Sequence, residues 1–297
     1  MQDQAYKLRL LAQDLHRQVE EELKARARTA RVITVTSGKG GVGKTNFSLN
    51  LGIALQKLNK RTILIDADLG MANVDVVLGL VPRYTLYDVI KGEKEIDEII
   101  VEGPDGLKII PGGSGIQELA NLDRERLESI ITQIYRLDGE ADLIIIDTGA
   151  GLSQNVMSFV LAADEVILLT TPEPTAITDA YGLVKNLFRH RPDSKVYLVV
   201  NMAESDEEAE MVARKLEIVT QKFLQAQITC LGYILNDPHV ARAVKMQVPF
   251  IISYPSARAS RRIKEVAARL VDVPDYGEEK GLKGFLDRML AFFGRRQ

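Results

Sequence analysis

Residues 32–45 have the sequence VITVTSGKGGVGKT, and this stretch decides the fold. A β-branched strand comes first, a glycine-rich loop follows, and a helix is expected to begin at Thr45. The loop matches the pattern G-x-x-x-x-G-K-[ST], in which backbone N–H groups and the following helix N-terminus bind phosphate oxygens. Lys44 is expected to reach the β- and γ-phosphates, and the Thr45 hydroxyl is expected to bind Mg²⁺. The residues predicted to surround the phosphates are Gly38, Lys39, Gly40, Gly41, Val42, Gly43, Lys44 and Thr45.

The composition is typical of a soluble globular protein, with 46% hydrophobic and 27% charged residues. The 297 residues suffice for one large α/β domain or two small ones. A net charge of -3 gives no overall basicity, so no specific nucleic acid is expected as a partner. Cys230 is the single cysteine and cannot form an internal disulfide, and no run of 18 apolar residues is present. These features predict a cytoplasmic location.

Carboxylates follow two strands that read as continuous apolar runs. Residues 61–66 end in Asp66, with Asp68 two positions later, and a second such strand ends in Asp147. Carboxylates past the carboxyl ends of parallel strands lie where ligands bind in open α/β sheets. One aspartate could simply cap a helix, but two beside a phosphate site are better explained by Mg²⁺ or an attacking water. Residues 148–151 are predicted to form a glycine-rich turn that senses the γ-phosphate.

Strand-like and helix-like runs alternate through the rest of the chain. The strand-like runs are 165–170, 195–201, 232–235 and 250–253, with a shorter strand and turn at 107–113. The helix-like runs are 84–90, 122–137, 153–161, 175–189, 205–225, 238–245 and 257–270. This alternation predicts an α/β fold with a doubly wound, mostly parallel sheet and helices on both faces.

Polar side chains after two of these strands are candidates for contact with a purine base. Asn201 ends one strand, and Asn236 and Asp237 follow another. Side chains at the carboxyl ends of parallel strands are placed to reach a bound nucleotide. Turn formation alone also explains the sequence Asn-Asp-Pro, so both interpretations stay open for Asn236 and Asp237.

A helical segment precedes the phosphate-loop domain, which we assign to residues 31–271. Within an N-terminal region of residues 1–30, positions 2–28 predict a polar helix with a narrow apolar stripe. This helix either packs on its own domain, forms a poorly ordered tail, or is presented to a partner protein. Spacing alone does not choose between these interpretations.

A second helix is predicted at residues 281–297, after a linker at residues 272–280. Its apolar face consists of Leu282, Phe285, Leu286, Met289, Leu290 and Phe293. One interpretation is a terminal helix docked on the core. The preceding linker, the aromatic side chains and the basic residues off the apolar face favour a helix that lies in the interface of an anionic membrane. A single short helix of this kind binds marginally, so a dimer would strengthen attachment.

Lys39, which directly follows the first glycine of the loop, is the first residue that indicates a resemblance to a known family. Gly-Lys-Gly-Gly-Val-Gly-Lys-Thr at 38–45 resembles the deviant Walker A motif of the MinD/ParA ATPases. The similarity continues through the aspartates at the strand ends to the C-terminal helix, over residues 31–297. Asp-Gln-Ala-Tyr-Lys-Leu-Arg at 3–9 resembles an element of the FlhG-type regulators of flagellar number in that family. The chain has Asp-Thr-Gly-Ala-Gly at 147–151, where MinD typically has Asp-Ser-Pro-Ala-Gly.

The resemblance implies an ATPase that binds ATP or ADP with Mg²⁺ and forms a homodimer with ATP. Lys39 would be a signature lysine that crosses to the phosphates bound by the second subunit, while Lys44 would act on the nucleotide of its own subunit. Asp68 would position or activate the attacking water. Asp66 and Asp147 would support the metal ion.

The resemblance also implies partners. The N-terminal segment, through Gln4, Leu8 and Arg9, would bind FlhF, a flagellar GTPase of the signal-recognition type, and stimulate its GTP hydrolysis. Members of the family also bind flagellar switch (C-ring) proteins. The C-terminal helix would attach the protein reversibly to the inner face of the cell membrane.

Three other functions are compatible with the same loop. A ParA-like ATPase that segregates DNA would need basic surface patches and salt-sensitive binding to DNA. A MinD-like division-site ATPase would need no N-terminal element. A metabolic or metal-cluster carrier would commonly have further cysteines, and the single cysteine argues against it.

Overall fold

One eight-stranded sheet forms the centre of the computed structural model, which describes residues 30–68, 74–112, 132–273 and 281–294. The strands are β1 (Arg31–Ser37), β2 (Thr62–Ala67), β3 (Val101–Glu102), β4 (Lys108–Ile110), β5 (Leu143–Ala150), β6 (Glu165–Thr170), β7 (Lys195–Ala203) and β8 (Ile228–Leu235). Their order across the sheet is β3-β4-β2-β5-β1-β6-β7-β8. Every neighbouring pair is parallel except β3 with β4. The predicted doubly wound α/β fold is confirmed.

Helices connect the strands and follow the predicted runs closely. They are α1 (Lys44–Lys57), α2 (Val74–Leu78), α3 (Leu86–Ile90), α4 (Gln154–Ala162), α5 (Pro174–His190), α6 (Asp206–Leu224), α7 (Pro238–Met246), α8 (Phe250–Ser253), α9 (Arg258–Asp272) and α10 (Leu282–Gly294). Short 3₁₀ turns occur at Ile96–Glu98, Pro104–Gly106 and Arg136–Gly139. Within the described residues, none of these helices has the length and apolar composition needed to cross a membrane.

The sheet is covered on both faces, which is why its central strands are apolar without alternation. On one face, Phe47 of α1 and Ile263 of α9 belong to the same buried cluster. On the other face, Phe159 of α4, Leu183 of α5 and Phe285 of α10 belong to a second cluster. The sheet is therefore the middle of three layers, and polar side chains concentrate where its strands end.

The register of the central strands brings the predicted carboxylates together. Asp66 of β2 lies opposite Asp147 of β5, and Val35 of β1 lies opposite the same aspartate. Because these strands are parallel, their carboxyl ends meet at one edge of the sheet. The phosphate loop leaves β1 at that edge, so the fold gathers the loop and both aspartates there.

Two predicted elements are wrong. Phe250–Ser253 was predicted as a strand but forms helix α8, whose Ile251 N–H donates to Asn50 Oδ1 at 2.9 Å. A short apolar run fits a buried helix as well as a buried strand, so sequence alone does not distinguish them.

Residues 148–151 were predicted as a turn, but β5 continues to Ala150, and the chain turns at Gly151, whose φ is 90°. The extension arises because the ends of β5, β1 and β2 remain paired.

Some predictions lie outside the described residues. These are the N-terminal helix at 2–28, the part of the 122–137 helix before residue 132, and the linker beyond residue 273. The last three residues of the predicted C-terminal helix are also outside.

Candidate active site

The phosphate loop joins β1 to α1 in a conformation that depends on glycine. Gly41 and Gly43 have φ values of 80° and 91°, in the left-handed region where a side chain causes strain. Gly43 precedes α1, whose first turn carries no acidic side chain. The free N–H groups of this turn and the positive end of the helix dipole therefore remain available to an anion. The predicted loop has the form of a phosphate-binding site.

Lys44 supplies a buried positive charge beneath this loop. The residue is only 8% exposed, and its Nζ donates to Ser37 Oγ at 3.1 Å. Burial lowers the pKa of Lys44, whereas the charges of Asp147 and Asp68 raise it. The ammonium is thus positioned between the loop and the carboxylates, where a β- or γ-phosphate would meet it.

Asp66 and Asp147 form a pair of buried carboxylates. Asp147 Oδ1 accepts from Ser48 Oγ at 3.0 Å, and burial raises the pKa of Asp147 to about 6. Asp66 accepts from the backbone N–H groups of Asp68 at 3.1 Å and Val74 at 3.3 Å. Burial and the neighbouring Asp147 raise the pKa of Asp66 to about 7. Ser48 was not predicted from the sequence, although it lies one turn after the loop on α1.

A divalent cation fits this part of the site. Asp147 Oδ2 is buried and has no hydrogen-bond partner among the described residues. It lies near the half-buried Thr45 and next to Asp66, so hard oxygen ligands converge here. The raised pKa values mean that bringing a cation close would favour loss of protons from both carboxyl groups. Thr45, Asp66 and Asp147 are the residues that would hold Mg²⁺.

Asp68 lies where it could act on the terminal phosphate. A Cβ built on Gly149 would be 3.3 Å from Asp68 Oδ1, so a larger residue at 149 would crowd that carboxylate. The end of β5 is in turn tied to β1, because Thr148 Oγ1 donates to Val35 O at 3.0 Å. The end of β5 is thus linked to β1 and lies against Asp68, whose charge in turn acts on Lys44 of the loop.

A cavity of about 450 Å³ opens beside the phosphate loop. Asn201, Asn236 and Asp237, the predicted base-contacting residues, all line it. Asn201 Nδ2 donates to Val42 O at 2.8 Å, and Asn236 Nδ2 donates to a Glu204 carboxylate oxygen at 2.8 Å. A carbonyl and a carboxylate can only accept, so each amide must turn its NH₂ group toward them. Within the part of the chain that the structure describes, the amide oxygens of both asparagines remain to accept from a ligand such as an adenine amino group.

Asp237 has a structural role that the sequence left open. Its Oδ1 accepts from the His239 backbone N–H at 3.0 Å, and its Oδ2 accepts from the Ala259 backbone N–H at 3.2 Å. The side chain therefore caps α7 and joins it to α9, while its contact with a base stays a prediction. Met202 also lines the cavity and was missed, because nothing in its local sequence marks its left-handed φ of 58°.

Lys39 points away from the buried charges, toward the start of α5. Its ammonium donates to the Glu173 carboxylate and to Thr175 Oγ1, the latter at 2.9 Å. The two loop lysines therefore differ in environment, since Lys44 is buried and Lys39 is partly exposed. This outward position leaves Lys39 accessible to another molecule.

The C-terminal helix α10 is docked on the core, which was one of the two interpretations of its sequence. Four residues of its predicted lipid-facing side are buried: Leu282, Phe285, Leu286 and Met289. The Phe285 ring stacks on Phe159 of α4 with centroids 6.5 Å apart. Arg288 donates to Ala162 O at 2.7 Å and to Asp164 Oδ1 at 2.6 Å, so it caps the carboxyl end of α4.

The remaining predicted contact residues lie outside what the structure describes. Gln4, Leu8 and Arg9 precede residue 30. The side chains of Leu290 and Phe293 are likewise outside the described part. Among the described residues, the structure brings the predicted nucleotide, metal and base residues together at one edge of the sheet.

Comparison with known proteins is consistent with this site. Residues 30–198 match the sequence family described as AAA domain. The chain is 41% identical over 261 residues to the antiactivator FleN of Pseudomonas aeruginosa, covering 88% of this chain and 93% of FleN. It is 33% identical over 270 residues to the flagellum site-determining protein YlxH of Helicobacter pylori, covering 89% and 91%. The solved septum site-determining protein MinD of Pyrococcus horikoshii, complexed with Mg-ADP, superimposes with a TM-score of 0.67 at 27% identity, covering 82% of this chain and 96% of that chain.

The buried carboxylates predict an unusual pH dependence of stability. Asp66 keeps its proton in the folded state up to a pH of about 7, whereas an unfolded aspartate loses it near pH 4. Between these values the folded state binds more protons, so the free energy of unfolding falls as pH rises and levels off above pH 7. Asp66→Asn removes this titrating group, so the free energy of unfolding of the variant should decrease less between pH 4 and 7.

Urea denaturation between pH 5 and 8, without metal or nucleotide, measures this slope. Asp105→Asn is the control, because Asp105 is partly exposed and pairs with Lys57. An Asp66→Asn variant that loses stability as steeply as the unmodified chain would contradict the assignment.

Proposed function

We propose that this chain, which belongs to the MinD/ParA family of P-loop ATPases, is a switch that regulates the number and placement of flagella. The protein is an ATPase that converts ATP and water to ADP and phosphate. The 33% identity to the flagellum site-determining protein YlxH over 89% of the chain is the observation that carries the flagellar assignment. The 41% identity to the antiactivator FleN over 88% of the chain supports a regulatory role.

The site supports ATP hydrolysis through positioning and charge. Lys44 and the N–H groups at the start of α1 would hold the β- and γ-phosphates, and Thr45 with the carboxylate pair would hold Mg²⁺. When bound, the metal ion would supply positive charge against the charge that develops on the phosphate oxygens. Asp68 would orient the attacking water, because it lies next to the end of β5 and the phosphate loop. Phosphoryl transfer needs little else from a protein.

Dimerisation is the proposed consequence of ATP binding. Lys39 projects outward at the start of α5 instead of inward to its own phosphates. A second subunit facing the loop would place the negatively charged phosphates of its own nucleotide near Lys39. The lysine would then neutralise phosphate oxygens across the interface, and the dimer would last until hydrolysis.

Lys39→Ala should retain nucleotide binding and lose ATP-dependent dimerisation. Lys44 and the loop backbone remain to bind the nucleotide, whereas the charge that crosses the interface is gone. Size-exclusion chromatography with light scattering, in ADP and in ATP, measures the oligomeric state. Lys57→Ala, which removes an exposed lysine at the other end of α1, is the control. An intact Lys39→Ala dimer in ATP would refute the role of this lysine.

Membrane attachment requires α10 to leave its docked position. Its apolar side now packs on the layer that contains α4, and the Arg288–Asp164 pair fixes its orientation. After release, lipid would cover the apolar side chains that now pack on the core, and the basic residues would face anionic headgroups. We propose that the ATP-bound dimer favours this release and that the protein is then peripheral at the inner face of the cell membrane.

Asp164→Ala should increase membrane binding in the ADP state. The change removes one of the two acceptors of Arg288 and the acceptor of the Gly281 N–H, yet retains every basic residue of α10. Co-sedimentation with phosphatidylglycerol-containing vesicles should rise severalfold, and Phe285→Glu should reverse the increase. Asp142→Ala, which breaks an ion pair with Arg61 elsewhere, is the control. If Asp164→Ala binds vesicles no better than the control, α10 is only a structural helix.

Two protein partners complete the proposal. The segment with Gln4, Leu8 and Arg9 would bind the flagellar GTPase FlhF and stimulate GTP hydrolysis.

Flagellar switch (C-ring) proteins would bind α6, whose exposed apolar residues Met211, Ile218 and Phe223 are accompanied by basic residues. Lys215 and Lys222 share a helix face with Met211 and Ile218 because the four positions recur every three or four residues. Such a face suits a partner segment that is apolar and acidic.

A peptide of residues 1–28 should stimulate GTP hydrolysis by a flagellar GTPase of this type. The same peptide with Gln4→Ala is the matched control, because its helical stripe and net charge are unchanged. Phosphate release from GTP measures the effect. Equal GTP turnover with and without the unmodified peptide would remove the N-terminal segment from the proposal.

A further inference from the structure

The two asparagine amides that line the base cavity are held by contacts of different kinds. Asn201 Nδ2 donates to the backbone carbonyl of Val42, whereas Asn236 Nδ2 donates to Glu204 Oε1, each at 2.8 Å. The carbonyl belongs to the backbone of the phosphate loop, so its position does not depend on any one side chain. The orientation of the Asn236 amide, in contrast, depends on the side chain of Glu204.

The first turn of α6 holds Glu204 in place. Its backbone N–H donates to Glu208 Oε2 at 2.8 Å, and the Glu208 N–H donates to Ser205 Oγ at 3.2 Å. The backbone of Asn236 is fixed as well, because its N–H donates to Ala203 O at 2.7 Å. The end of β7 and the start of α6 therefore set the position at which the Glu204 carboxylate meets the Asn236 amide.

The carboxylate of Glu204 decides which end of that amide is left for a ligand. A carboxylate only accepts hydrogen bonds, so the amide must turn its NH₂ group toward Glu204. Asn236 lines the cavity, and no residue in the described part of the chain donates to its amide oxygen. At this position the cavity therefore presents a hydrogen-bond acceptor.

Adenine and guanine differ in the group that such an acceptor would meet. Adenine has an amino group at its 6-position, whereas guanine has a carbonyl oxygen there. An amide oxygen accepts from the amino group, but it repels the carbonyl oxygen and leaves both acceptors unpaired. A fixed acceptor therefore favours adenine, whereas an amide that can turn over would accommodate either base.

We propose that Glu204 is a positioning residue that sets the preference for adenine by fixing the orientation of the Asn236 amide. The inference rests on the proposed contact of Asn236 with the base. Glu204 is not among the residues that line the cavity, so it acts through Asn236. Glu204→Gln keeps the length of the side chain, but its amide both donates and accepts, so Asn236 can then turn its NH₂ group toward the base.

Three diphosphates that differ only at the 6-position of the base test this role. ADP has the amino group, inosine diphosphate has the carbonyl oxygen, and purine riboside diphosphate has neither. One hydrogen bond of this kind changes an equilibrium by about threefold. Glu204→Gln should therefore weaken ADP binding and strengthen inosine diphosphate binding by about threefold each, which lowers the preference about tenfold. Binding of purine riboside diphosphate should stay unchanged.

Displacement of a fluorescent ADP from the full-length chain, with Mg²⁺ present, measures the three affinities. Glu210→Gln is the matched control, because it removes an exposed carboxylate of α6 that accepts from Arg214 and from the Tyr233 hydroxyl instead of Asn236. The same Glu204→Gln change is also made in an Asn236→Ala chain. It should have no effect on the preference there, since the amide through which Glu204 acts is gone.

Opposite changes for ADP and inosine diphosphate in Glu204→Gln, absent from Glu210→Gln and from the Asn236→Ala chain, support the proposal. An unchanged preference overturns it. An equal loss for all three diphosphates also overturns it, because that result indicates a purely structural role. An effect that persists in the Asn236→Ala chain overturns the positioning role, since Glu204 would then act on the base directly.

Failure of the proposed site or function gives a different result, which the unmodified chain reveals. If that chain binds ADP no better than inosine diphosphate, the proposed contact of Asn236 with the base is overturned together with this inference. If it binds none of the three diphosphates, the proposed function is overturned as well. A chain that prefers ADP, and keeps that preference in Glu204→Gln, overturns the role of Glu204 alone.

Discussion

Buried charge at the carboxyl edge of the sheet is the constraint around which the rest of the structure is arranged. Lys44 is removed from water close to Asp147, which lies beside Asp66 on the next strand. Burying these groups is costly unless they are paired and hydrogen-bonded, and Ser48 and Ser37 satisfy only part of that need. Hydrophobic side chains would stabilise the fold better. Charged residues at these buried positions therefore indicate that this edge is kept for function at a cost in stability.

Two helices, α4 and α5, lie next to the phosphate loop and to the strand end beside it. The loop backbone touches α5 at Gly38, and the Gly151 N–H donates to Ser37 O at 2.9 Å just before α4 begins. α5 carries the acceptors that hold Lys39, and α4 carries the surface on which α10 docks. Both proposed outputs, the dimer and the membrane helix, therefore depend on helices in contact with the phosphate loop or with the strand end beside it.

Prediction from sequence succeeded for the fold, because its strands and helices follow from local periodicity. Gly43, Lys44 and Asp147 were predicted as site residues because a phosphate loop combined with a strand-terminal carboxylate is typical of a nucleotide site, and the structure places them at one edge of the sheet. Prediction failed for Phe250–Ser253, because four apolar residues fit a buried helix as well as a buried strand. It also missed Ser48 and Met202, whose roles come from the residues that the fold places beside them.

The sequence by itself determined the α/β fold, the phosphate loop and the type of residue at each strand end, since these follow from periodicity and from residues close in the chain. Only the tertiary structure decided which of two available partners a side chain has. It packs α10 on the core in place of lipid, uses Asp237 to join two helices, and holds Lys39 against α5. The physical reason is that such choices depend on contacts between residues over 100 positions apart, or on competition between partners of similar strength, and neither leaves a pattern along the chain.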